Sequence, residues 1–304
     1  VSAPPRIAAL DVGSNTVHLL VAEPLARGVR ELRREVVMPR LGAAVGATGR
    51  IGPAKIAEVA AEVRRLAALA RDCDASILLC CATEAVRRAD DRDGALQAFS
   101  AAAGVAFVLI SGEVEARLAF RGAVAMSPGD GLAAVCDIGG GSTEIAVGSD
   151  SNIAALASLE IGSGAVTDRW LHDDPPTRAQ LDACATAIRS VLVAGAPQAS
   201  PQRVIATGGT ASALGRLLAG TPESVLTAAN LDRLRTLLAT TPSAELARIH
   251  ALDPARARVL AGGVEIVEAI RAHYAAESVQ TTIHGLRTGM ILAFLENGDR
   301  WVDG

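Results

Sequence analysis

Two stretches of one design, more than a hundred residues apart, constrain this chain most. Residues 136–144 read Cys136, Asp137, Ile138, Gly139, Gly140, Gly141, Ser142, Thr143 and Glu144, between the apolar runs 132–135 and 145–147. Two short apolar runs joined by a glycine-rich link predict a β-hairpin. Three glycines leave the backbone bare, so consecutive N–H groups can close around an anion. Asp137 falls at the strand end, where a carboxylate holds Mg²⁺ directly or through water. Ser142, Thr143 and Glu144 add two hydroxyls and a second carboxylate, a set that suits a metal-bound phosphate. Alone, such a link is an ordinary turn. Residues 9–16 repeat it, however: Ala9, Leu10, Asp11, Val12, Gly13, Ser14, Asn15, Thr16. A duplicated loop predicts two related half-domains facing one ligand.

The 304 residues suffice for two ordinary domains, each with its own core. Half the residues are hydrophobic, yet no run reaches the length of a membrane span. The first residues lack the apolar core of a signal peptide, so a cytoplasmic location with no membrane partner is expected. The cysteines (Cys73, Cys80, Cys81, Cys136, Cys184) show no metal spacing and read as reduced, buried thiols. A net charge of −4 gives no electrostatic reason to expect duplex nucleic acid, and 2% aromatics argue against a single-strand groove. Lys55 is the only lysine, so positive charge is almost all arginine, whose planar fork suits phosphate.

In chain order, residues 6–11 and 17–22 form the first hairpin, and 31–37 a third strand. Residues 38–52, glycine-rich and carrying Arg40 and Arg50, read as a surface loop. A helix from Pro53 to about Arg71 and a buried strand over 76–82 follow, the start of an α/β layer. Arg87, just beyond that strand, reads equally as a ligand contact or a solvated charge. Residues 93–103 predict a helix and 105–110 a strand. Ser111 then caps a helix carrying Glu113 and Glu115, of which only one can face a given site; first-turn acids are also common for dipole reasons alone. After the central hairpin come a strand over 153–160, a helix behind Gly162, and a capping box at Thr177 and Gln180. The strand 203–206 delivers Thr207, Gly208, Gly209 and Thr210 to a helix, a third glycine turn able to contact an anion or nucleotide. Helices over 231–239, 244–250 and 255–274, a strand over 279–283 and a helix over 285–296 complete the chain. His18 and His284 read as structural.

Together these segments resemble the exopolyphosphatase/guanosine pentaphosphate phosphatase family of the actin–sugar kinase–chaperone ATPase superfold. The likeness runs over Leu10 to His18, Arg40 to Gly42, Ala82 to Arg87, Ile110 to Leu118, Cys136 to Glu144, Thr207 to Thr210 and Gly285 to Gly289. The hairpins identify the superfold; Ser111, Gly112, Glu115, Ala116, Arg117 and Leu118 resemble this family in particular. The resemblance implies an α/β fold of two ribonuclease-H-like domains, here 1–122 and 123–304, with a cleft between them and the last helix packing back on the first. It places the general base on Glu115, a metal-linked carboxylate on Asp137 and a further acid on Glu144. Phosphate contacts fall to Gly13, Ser14, Asn15, Arg87, Gly139, Gly140, Gly141 and Ser142. The duplication gives Asp11 a share of the metal, and the third glycine turn gives Gly209 and Thr210 a share of the phosphate.

The implied reaction is Mg²⁺-dependent removal of the terminal phosphate of inorganic polyphosphate, with a monovalent cation as a further ion and a homodimer as the assembly. A guanosine pentaphosphate 5′-phosphohydrolase would share every residue named. A sugar or acetate kinase of the superfold would use Thr207 to Thr210 for adenosine but need no water-activating Glu115. Val114 stands where the family usually has an acid, and Ala165 where a basic residue is common. Those departures would suit a sensor of polyphosphate or of guanosine tetraphosphate-type alarmones; retention of Glu115, Asp137 and Glu144 favours the enzyme.

Overall fold

Alternating apolar strands set up two sheets in the computed structural model, which describes residues 4–150 and 152–303. The first sheet holds β1 (Arg6–Val12), β2 (Val17–Pro24), β3 (Val29–Val37), β4 (Ala75–Ala82) and β5 (Val108–Leu109), in the order β3-β2-β1-β4-β5. The second holds β6 (Ala133–Ile138), β7 (Thr143–Ser149), β8 (Asn152–Leu159), β9 (Arg203–Thr207), β10 (Val225–Thr227) and β11 (Ser278–Thr281), in the order β10-β11-β9-β6-β7-β8. In each, an antiparallel three-stranded meander continues into parallel strands reached through helices, and in the second sheet β10 closes the edge antiparallel to β11. The two registers correspond. Asp11 pairs with His18 across the first hairpin as Asp137 pairs with Glu144 across the second. Each link is closed by the same bond, Gly13 N–H to Thr16 O at 2.8 Å and Gly139 N–H to Ser142 O at 3.0 Å.

The inner strands β1, β2, β6 and β7 are buried on both faces, so alternate residues feed different cores. In β1, Ala8, Leu10 and Val12 pack under helices Pro53–Asp72 and Arg92–Ala103, while Ile7 and Ala9 meet Leu286, Met290 and Ile291 of helix Leu286–Asn297. The second sheet does likewise, with Cys136 and Ile138 toward helices Arg178–Gly195 and Pro254–His273. Val135 and Ile205 face the other way, toward Ala116, Phe120 and Ala123 of helix Gly112–Met126. That helix also sends Leu118 into the core beneath the first sheet. Phe120 on one side and Leu118 on the other each contribute about 1.5–3 kcal/mol on burial, so one helix fastens both sheets together. Its N-terminus is fixed by the Ser111 hydroxyl, which accepts from Val114 N–H at 3.2 Å.

Three expectations need correction. Residues 41–48 are helix, not surface loop: Leu41–Thr48 buries Leu41 and Val45 one turn apart, and its glycines and alanines hid that spacing. The strand expected over 105–110 shrinks to the two residues of β5, and β10 occupies a stretch where no strand was expected. Short strands of that kind exist only through a neighbour's ladder, which a local pattern does not reveal.

Candidate active site

The hairpin turns meet across a cleft lined by Asp11, Gly13, Ser14, Glu115, Asp137, Gly139, Gly140, Gly141, Ser142, Gly209 and Arg287. Helix starts hold both turns in place. Arg40 and Gly42 donate backbone N–H groups to Asn15 O and Ser14 O, as Ser163 and Gly164 do to Gly139 O and Gly140 O. With the carbonyls turned outward to these helices, the amides of Ser14, Gly140 and Gly141 are left without a backbone acceptor among the described residues. Those are the donors available to an oxyanion. The N–H groups of Gly13 and Gly139, by contrast, are spent inside their own turns.

Four acids gather at the turns: Asp11, Asp137 and Glu144 at the hairpin strand ends and Glu115 beside them; the first two and Glu115 line the cleft, and Glu144, expected there, does not. Asp11 is 5%, Glu115 8% and Glu144 2% exposed, and Asp137 lies at the end of β6. Burial raises all four proton affinities. Asp137 is pushed up to about 6, by burial against the lowering effect of Arg287, with Asp11 adding to the rise. Burial, then the neighbouring Glu144, holds Glu115 well above the ordinary carboxylate range, and the Arg87 guanidinium at 2.9 Å opposes the rise. Glu144 is likewise raised by burial while hydroxyl bonds from Ser142 and Ser158 pull the other way, the latter at 2.8 Å. Glu113, two residues from Glu115, points to solvent.

Several expected roles are redrawn. Asp11 does not match Asp137: its Oδ2 accepts from Arg287 at 2.5 Å, so an arginine occupies the place expected for a metal. Arg87 holds Glu115 and the Ile110 carbonyl rather than lining the cleft. Thr210 is fully buried with its hydroxyl on Ser163 Oγ at 3.0 Å, so its side chain is not a phosphate contact. Asn15, 5% exposed, lies behind Gly140 with Nδ2 unpartnered among the described residues. Gly208 (φ +93) carries the chain past Asp137, whose Oδ1 would lie 2.6 Å from any Cβ there.

Sequence reading also missed residues. Arg287 was inside a recognised segment but had no role; its partner is 276 positions away. Arg256 lies over Gly209, its pKa lowered by burial to about 10, with no ion-pair partner among the described residues. Arg287, Arg256 and Arg34 join burial in holding His18 neutral, which marks that side of the cleft as basic.

Among the described residues no group of three or more His, Cys, Asp or Glu side chains is placed to hold a metal ion. The donor set still fits a hard cation that brings oxygen ligands of its own, as Mg²⁺ does with water and phosphate. Asp137, half-buried, would hold it, and a bound cation would offset its crowding with the buried Asp11, Glu115 and Glu144.

Paired Asp-Gly hairpins, duplicated sheets and an acid-lined interlobe cleft define the actin-like class of two-domain α/β proteins that handle phosphate. Within that class, the profile of the Ppx/GppA phosphatase family matches residues 20–297, and the chain belongs to this family. It is 32% identical to exopolyphosphatase 1 of Mycobacterium tuberculosis over 310 residues, covering 96% of this chain and 89% of the relative. Exopolyphosphatase 2 of that organism is 32% identical over 314 residues, covering 95% and 98% respectively. A solved exopolyphosphatase from Cytophaga hutchinsonii superposes with a TM-score of 0.86 at 22% identity, over 96% of this chain and 98% of that one, which shows the shared fold.

Proposed function

We propose that this protein is an exopolyphosphatase that hydrolyses the terminal phosphoanhydride of inorganic polyphosphate. The observation that carries the reading is the placing of Glu115, buried and aimed by Arg87, in the same cleft as the free turn amides and Asp137. The full-length relatives named exopolyphosphatase support it. Amides of Ser14, Gly140 and Gly141 hold the terminal phosphoryl oxygens and meet the charge that grows on them. Glu115 orients a water and takes its proton as the new O–P bond forms and the bridging P–O bond breaks. A base in this role contributes roughly 10²–10⁴-fold. Its raised proton affinity makes it the stronger base once ionised. Glu144, held by Ser142 and Ser158, keeps that affinity high. Arg287 and Arg256 face the departing chain. Mg²⁺ on Asp137, when bound, supplies Lewis-acid stabilisation of the phosphoryl oxygens.

Guanosine pentaphosphate presents the same terminal group and is the alternative substrate. We further place the protein in the cytoplasm as a homodimer. Among the described residues no helix is long and apolar enough to cross a membrane, and Leu32 and Val36 are exposed on β3, an edge strand. Sedimentation equilibrium tests the dimer. The defining experiment measures phosphate release, with Mg²⁺, from medium-chain polyphosphate and separately from guanosine pentaphosphate. Wild type is expected to release phosphate from the polymer, and Glu115→Gln to lose turnover while still binding it. Wild-type rates in Glu115→Gln would remove the base from Glu115. Release from the nucleotide alone would change the substrate and keep the mechanism.

A further inference from the structure

Behind the phosphate turns lies a second, larger cavity of about 950 Å³. One wall is helix Leu41–Thr48 with the Glu84–Arg88 helix; the other is helices Ser163–Trp170 and Arg178–Gly195. It touches the catalytic cleft at Glu84, Gly140 and Gly141, which line both spaces. The partition is one carboxylate thick. Glu84 Oε2 accepts from Ser14 Oγ at 2.5 Å, and a Cβ on Gly141 would overlap that carboxylate. Its other oxygen accepts from Arg88 at 2.9 Å, and the Arg88 side chain is 51% exposed. Glu84 is thus tied to the cleft by one hydroxyl and to the cavity by an arginine with room to move.

The two spaces differ in charge. The three arginines on the cavity wall, Arg40, Arg88 and Arg169, face three acids, Glu84, Glu160 and Asp168: Arg40 is paired with Asp168 at 2.9 Å and Arg88 with Glu84, while Arg169 lies over the Trp170 ring. The remaining wall is largely small or apolar, Ala43, Val45, Ala165 and Ile188 among it. The opposite side of the cleft carries Arg256, with no ion-pair partner among the described residues, beside Arg287 and Arg34, which are paired with Asp11 and Glu31. A polyanion settles where positive charge is unmatched. A single phosphate needs the reverse, a path on which it is not held.

We infer that this cavity is the exit route for the orthophosphate product, with Glu84 as its gate. The inference rests on the hydrolase reading above. With the shortened polymer still on the arginine side, the released ion is enclosed between that chain and Glu84. A swing of the Glu84 carboxylate away from Ser14, toward Arg88, opens the way behind it. The polymer then need not leave between cuts.

The test plugs the cavity away from the cleft. A Cβ on Gly46 meets nothing within 4 Å, so Gly46→Trp fills the space without a clash at its base; Ala187→Trp does so from the facing helix. Rapid-quench measurement on polyphosphate should show single-turnover cleavage at the wild-type rate. Steady-state turnover should fall by about tenfold, with a burst of about one phosphate per site, because release becomes limiting. Gly46→Ala should behave as wild type. Slowed single-turnover cleavage with a raised KM for long chains, in variants whose thermal midpoints match wild type, would put the polymer in the cavity and overturn the inference. Unchanged turnover in both tryptophan variants would overturn it as well. A wild type that releases phosphate from neither polyphosphate nor guanosine pentaphosphate would overturn the hydrolase reading, and the exit route with it.

Discussion

Asp11 and Asp137 occupy equivalent positions in two hairpins of one register and both line the cleft, yet one is tied to an arginine and the other has no ion-pair partner among the described residues. The difference decides how each responds to mutation. Asp11 and Arg287 are both nearly buried, and removing one partner of such a pair leaves an uncompensated charge. Arg287→Met should therefore lower unfolding stability by about 3–5 kcal/mol, measured by urea titration at neutral pH. Adding Asp11→Asn should restore much of that loss. The sign with pH follows. Without Arg287 the folded-state pKa of Asp11, already raised by burial, rises further, so the folded variant binds a proton the unfolded chain has lost. Its stability deficit should shrink at acid pH and grow as pH rises; the opposite trend would show that Arg287 does not neutralise Asp11. The hairpin that carries Asp137, Glu144 and the turn glycines was legible in the sequence because it lies within nine residues. The Arg287 contact was not, since 276 positions separate the partners and no local pattern signals the meeting.

Among the elements, helices Gly112–Met126 and Leu286–Asn297 are the pair on which the site depends, one carrying Glu115 and the other Arg287. They touch backbone to backbone. A Cβ on Gly289 would overlap the Leu118 carbonyl oxygen, and one on Gly122 the Gly285 carbonyl oxygen. Gly289→Ala should cost about 1–3 kcal/mol through overpacking, read as a lowered denaturant midpoint, with turnover reduced as Arg287 shifts. A neutral result would mean that the helices separate without strain. Both helices were legible from their apolar spacing and, for the first, from the Ser111 cap. Their contact was not, because small residues that permit close approach look in sequence like poor helix formers. The same blindness hid Leu41–Thr48, where two buried side chains, Leu41 and Val45, sit among alanines and glycines. Yet that helix supplies the N-terminus that clamps the first turn.

For the whole molecule, the fold is one plan used twice, with helix Gly112–Met126 buried against both copies. The alternation of strands and helices in the sequence read as an α/β layer structure, but the strand orders within the two sheets were not read from it. What the alternation could not supply was the division of labour between the halves. One basic wall, one acidic wall and two cavities arise only when both sheets are in place. The Asp11–Arg287 pair adds a condition in time. Asp11 precedes Arg287 by 276 positions, so a nascent chain short of helix Leu286–Asn297 contains no finished cleft. A chain ending at residue 285 should collapse both sheets but release no phosphate, and adding a peptide of residues 286–303 should restore release. Phosphate release by the shortened chain alone would show that the cleft forms without its closing helix. Synthesis itself thus withholds the activity until helix Leu286–Asn297 has been made.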